Sequence, residues 1–75
     1  MSSRADDLSA WRVFVTYAKT GSLVAAADVL DVEPSSVSRT IRSLERAIGQ
    51  ALVQHNSRPM QLTEAGQKAL SRMEP

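Results

Sequence analysis

Residues 20–49 read TGSLVAAADVLDVEPSSVSRTIRSLERAIG, and the fold follows from this stretch. Gly21 suits the left-handed backbone that closes a helix, and Ser22 suits the N-cap of the next. That helix, Leu23 to about Leu30 with its caps at 22–31, carries Ala25, Ala26 and Ala27, small enough for another helix to approach closely. Asp31 and Val32 fit a tight turn. Pro34 fits the first position of a helix, where a missing amide hydrogen costs nothing. From there to Ile48, at about 100° per residue, Val37, Ile41, Leu44 and Ile48 fall within about 60° of one another, a narrow apolar seam. Ser35, Ser38, Arg39, Arg42 and Arg46 fall on the other side, and Gly49 is the stop. Two helices joined by so short a turn form a helix-turn-helix, which places its second helix in a DNA major groove. A helix in that position must be apolar beneath and carry donors above, and 34–48 has both faces.

On the N-terminal side, residues 1–6 are polar and are expected to be flexible. Asp6 or Asp7 suits the cap of a helix over 8–20, where an acidic group also meets the positive dipole end. Leu8, Trp11, Phe14, Val15 and Ala18 recur at helical spacing on one stripe. On the C-terminal side, Ala51–Gln54 and Met60–Leu62 are short strand candidates around the loop formers His55-Asn56-Ser57-Arg58-Pro59, so 51–62 predicts a hairpin wing. Thr63 then caps a helix over 64–73, with Ala65, Ala69 and Met73 at fourfold spacing and Leu70 beside them. The expected architecture is mainly α, a winged helix-turn-helix with a three-helix core, a short two-stranded wing and the start of a C-terminal helix. No internal repeat or low-complexity segment is present.

Seventy-five residues make one small domain with ordinary hydrophobic content (43%) and three aromatics, Trp11, Phe14 and Tyr17. With no cysteine, neither a disulfide framework nor a thiolate zinc site is available. The longest apolar run, Leu23–Ala27, is too short to cross a bilayer or serve as a signal core, and a cytoplasmic protein is expected. A lone histidine, His55, makes a metal site improbable, and no cofactor is expected. No histidine stands near Ser22 to activate it, and the chain offers no acid–base pair, so a binding module rather than an enzyme is expected. The net charge of +1 hides an asymmetry: residues 1–33 carry three basic and five acidic groups, residues 34–75 six basic and three acidic. The cationic half holds the two-faced helix and the loop beyond it, the footprint of a polyanion-binding face.

These pieces, in this order, resemble a known family. LSAWRVFVTYAKTGSLVAAADVL, then VSRTIRSLERAIGQALV, then LTEAG is similar to the DNA-binding domain of the LysR-type bacterial transcriptional regulators, from about Leu8 to Leu70. The specific pieces are Gly21-Ser22 with Ala26-Ala27, Val37-Ser38-Arg39 with Ile41, Leu44-Glu45 and Gly49, and Leu62-Thr63 with Ala65-Gly66. The resemblance implies promoter duplex DNA as the partner and a homodimer in the full-length context. The linker helix carries the dimer contact, here Ala65, Ala69, Leu70 and Met73, and a ligand-sensing domain follows it in the family. Seventy-five residues reach only the first turns of that linker, whether as an excised domain or a short protein, so a weak dimer or a monomer is expected.

The resemblance also assigns DNA contacts to Pro34, Ser35, Ser36, Ser38 and Arg39 on the third helix and to His55 and Arg58 in the wing. Arg39, in the first turns of that helix, is the foremost base or phosphate contact, because guanidinium offers the fork that guanine and phosphate accept. Ser35, Ser36 and Ser38 can reach phosphate or base edges, and Ser35 or Ser36 can instead bond backbone at the helix start. Arg42 is read as a phosphate contact and Arg46 as solvated, while Ser22 is a helix cap that also lies within reach of a phosphate. The chain departs from the family pattern at Glu33, where a capping serine is usual, and at Pro34-Ser35, where glutamine and proline are common. Val53 and His55 stand where phenylalanine and arginine are usual, which implies a weaker, pH-sensitive phosphate contact. The alternative reading is a winged helix whose face around Arg39 and Arg58 docks an acidic partner protein.

Overall fold

The computed structural model describes residues 3–55 and 60–73, with side chains from Ala10 to His55 and from Met60 to Arg72. Among the described residues, four helices follow one another: α1 (Ser3–Thr20), α2 (Leu23–Leu30), α3 (Pro34–Ile48) and α4 (Glu64–Met73). The corners between the first three are set by backbone that only certain residues adopt without strain. Gly21 (φ 74°) ends α1, its amide donating to the Tyr17 carbonyl at 2.8 Å. Asp31 (φ 58°) ends α2, and Asp31 and Val32 donate to the carbonyls of Asp28 and Ala27 in a Schellman pattern. Aspartate tolerates the left-handed region better than most side chains, which is why no glycine is needed there. Ser22 caps α2 through its Oγ, which accepts the Ala25 amide at 3.3 Å.

The expected α2, α3 and α4 agree with the structure to within their caps, but α1 begins at Ser3 rather than near residue 8. Asp6 and Asp7 therefore lie inside the first turns instead of capping them. Residues 3–7 hold no glycine or proline, and acidic groups in a first turn favour the helix dipole, so nothing local stops the helix later.

Phe14, Ala26, Ala27, Val37, Ile41, Leu44, Leu52 and Val53 form the core. One fully buried aromatic, Phe14, sits against the small Ala26 and Ala27 of α2 and the Val37–Ile41–Leu44 seam of α3; Trp11 meets it edge-on, with ring centroids 6.0 Å apart. Leu8, expected on the same stripe, lies outside the described side chains. Ile48 was expected in the seam and is instead 40% exposed. It belongs to the last turn of α3, beyond the core cluster, and borders an open groove with Gln50, Leu52, Ala65 and Ala69.

The expected strands reduce, among the described residues, to one antiparallel bridge between Val53 and Leu62. Gln54 donates to Gln61 at 2.8 Å, and Thr63 donates to Leu52 at 3.0 Å. The amides of Leu52 and Val53 go instead to the Glu45 side chain. Thr63 clasps the base of this segment to α4: its Oγ1 donates to the Ala51 carbonyl (2.6 Å) and accepts the Gly66 amide (3.0 Å). No helix among the described residues is long and apolar enough to cross a membrane.

Candidate nucleic-acid interface

Burying Val37, Ile41 and Leu44 fixes the rotation of α3 and so decides which side chains are bare. At about 100° per residue, Ser35, Arg39, Arg42 and Arg46 project from the side opposite the seam, and all four are exposed. Pro34 starts the helix with Glu33 at the N-cap, whose side chain makes no capping hydrogen bond. Ser22, also exposed, stands at the N-terminus of α2.

Of the expected serines, Ser38 stands at the edge of this face and Ser36 away from it. Ser38 and Arg42 border a notch of about 150 Å³ with Tyr17, Leu23, Ile41, Gln54 and His55. Ser36 lies on the opposite flank of α3, in a groove with Arg12, Thr16, Val29, Val32 and Thr40. Arg58 and the Met73 side chain lie outside what is described. Ala65, Ala69 and Leu70, expected at a dimer contact, are half-buried against the chain's own core.

A group to which the family resemblance gives no DNA contact organises the flank of the face. Glu45, the lone acidic residue of α3, accepts the amides of Leu52 (2.7 Å) and Val53 (3.1 Å) with Oε2. Its Oε1 lies 2.7 Å from Nε2 of His55. Burial pushes the Glu45 carboxyl up, but the His55 bond, the two amides and the charge on His55 outweigh it and hold the pKa below its ordinary 4.5. The carboxylate thus fixes the 52–55 segment to α3. Its signal in the sequence was an acid stranded on a cationic helix, on the flank shared with Ser38. The Tyr17 phenol, on the far wall of the notch, is pushed up by burial.

The geometry is a bare cationic helix face beside a tethered flanking segment. The family model described as "Bacterial regulatory helix-turn-helix protein, lysR family" matches residues 8–67. The chain belongs to this family. A Sinorhizobium fredii protein described as an uncharacterized HTH-type transcriptional regulator is 47% identical to this LysR-family domain over 64 residues, 85% of this chain and 22% of its own. Among solved structures, the BenM DNA-binding domain in complex with catB site 1 DNA is similar with a TM-score of 0.83 at 32% identity, over 87% of this chain and 72% of that one. Vibrio fischeri DarR, also described in complex with DNA, gives a TM-score of 0.80 at 31% identity, over 85% of this chain and 22% of its own. The LysR-family domain spans about a fifth of the length of the curated relatives it matches.

Proposed function

We propose that this chain binds double-stranded DNA in transcription regulation, with α3 in the major groove and residues 51–62 as a two-stranded wing on the flanking backbone. The observation that carries the reading is the exposure of Ser35, Arg39 and Arg42 opposite a seam buried at Val37, Ile41 and Leu44. Guanidinium groups projecting from the early turns of a groove-sized helix match guanine edges and phosphates. In this arrangement Arg39, Ser35 and Ser38 face base edges or nearby phosphates, and Pro34 lets the helix start meet the duplex without a bulky side chain. Arg42, Ser22, His55 and Arg58 take backbone phosphates. Ser36, on the other flank of α3, is left out of the contact set. The reading is of a binding domain, not an enzyme, and of a homodimer in the full-length context, since two half-sites call for two copies.

The test is a fluorescence titration with mixed-sequence duplex across a salt series. Binding in the micromolar range or tighter at low salt is expected, with the logarithm of affinity falling linearly with that of salt as phosphate contacts release counterions. Arg39→Ala should weaken binding on the order of tenfold to a hundredfold. A variant that binds as tightly as the parent would remove the central contact from the reading.

A further inference from the structure

The Glu45–His55 pair fixes more than the position of a loop. Glu45 spends Oε2 on two backbone amides, and its carboxyl stays ionised, so its Oε1 can only accept. The His55 nitrogen that meets Oε1, Nε2, must therefore carry the proton. In a neutral ring this leaves Nδ1 as a lone-pair acceptor, which a phosphate oxygen repels. In the protonated ring Nδ1 becomes a donor while Nε2 keeps its bond to Glu45. His55 shares its notch with Arg42 and Ser38, both on the face proposed to meet the duplex.

We propose that the notch bounded by Tyr17, Ser38, Arg42 and His55 seats one duplex phosphate, and that filling it takes up one proton onto His55. The inference rests on the DNA reading above and adds a chemical condition to it: the flank contact forms only with imidazolium. Among the described residues, the charged and titratable groups facing His55 are Glu45 and Arg42 from α3 and Tyr17 from α1. Glu45 holds the proton on Nε2, and Arg42 lines the same notch. A phosphate seated there accepts from the Arg42 guanidinium and, once the ring is protonated, from Nδ1. Proton and phosphate therefore enter together. Tyr17 brings a neutral hydroxyl, because its phenol remains protonated throughout the range in which histidine titrates. His55 is the only histidine in the sequence, so no second imidazole obscures the measurement.

The experiment is duplex titration of the whole chain at fixed low ionic strength from pH 5.5 to 7.5, with calorimetry in two buffers of unequal ionisation enthalpy. The dissociation constant is expected to rise about fivefold to tenfold across that range, as the contact is lost with the proton. Calorimetry is expected to show uptake of a substantial fraction of one proton per bound domain near pH 6.5. His55→Gln should bind at every pH as the parent does at the alkaline end. His55→Arg should bind at every pH as the parent does at the acid end. Glu45→Gln, which releases the tautomer but keeps an acceptor for the two amides, should flatten the profile. Salt-sensitive binding whose strength is the same at both ends of the range, with no proton uptake, would overturn this inference and leave the DNA reading standing. Failure to bind duplex at any pH would defeat both. Calorimetry on the parent decides the matter even if a variant fails to fold.

Discussion

At the scale of single residues, Gly66 shows how tightly α4 is set against the chain before it. A Cβ built on Gly66 would lie 2.0 Å from the Leu52 carbonyl oxygen, a backbone atom that cannot swing aside. That carbonyl already accepts the Thr63 amide, so yielding means opening the bridge at Val53 and Leu62 as well. Gly66→Ala is expected to destabilise the domain by about 3 kcal/mol, at the upper end for overpacking, measurable as a lowered urea midpoint; an unchanged midpoint would contradict the close approach. Glu33 offers the opposite case. It occupies the N-cap of α3 without a capping bond, so Glu33→Ser should supply an acceptor for a first-turn amide. The gain should be about 1 kcal/mol, read as a melting temperature some 4–8 °C higher. Removing a negative charge beside the proposed phosphate contacts should tighten duplex binding as well.

At the scale of elements, the coupling of α3 to the flanking segment rests on one carboxylate, and its titration gives that coupling a pH signature. The folded-state pKa of Glu45 is lowered, so its contribution is present above the ordinary carboxyl value and fades as pH falls through the folded one. Glu45→Ala leaves two amides without their acceptor, and should cost about 2 kcal/mol at pH 6. The gap between parent and variant should narrow as pH falls below the ordinary carboxyl value, and a gap that does not change on acidification would show that Glu45 stabilises by packing alone. The helices themselves were readable in advance, because periodicity and capping residues act over one turn or two: Pro34, Ser22 and Gly49 mark boundaries that the structure keeps. The start of α1 was not readable, since residues 3–7 contain no residue that forbids a helix, and an acid at an N-cap looks the same as an acid in a first turn. The exposed arginines were readable from the seam. The tether through Glu45 was not, because it joins residues seven to ten positions apart through a side chain whose rotation depends on the finished core. Ile48 was misplaced for a related reason: helical angle assigns a face, but only packing decides where along that face burial ends.

At the scale of the molecule, α1, α2 and α3 surround Phe14, and α4 closes against the base of the 52–62 segment. The half-buried Ala65, Ala69 and Leu70 are already engaged with the core, which leaves a ten-residue helix little apolar surface for a second copy. Sedimentation of this chain should therefore give a monomer, or a dimer that dissociates at micromolar concentration; a tight dimer would require an interface elsewhere. Because one half-buried carboxylate pins the 52–55 segment to α3, the two parts proposed to touch the duplex are held at a set spacing, like the jaws of a calliper. Duplexes differ in groove width according to sequence, and a gauge that cannot widen would rank them by the distance between backbone strands even at base pairs it never touches.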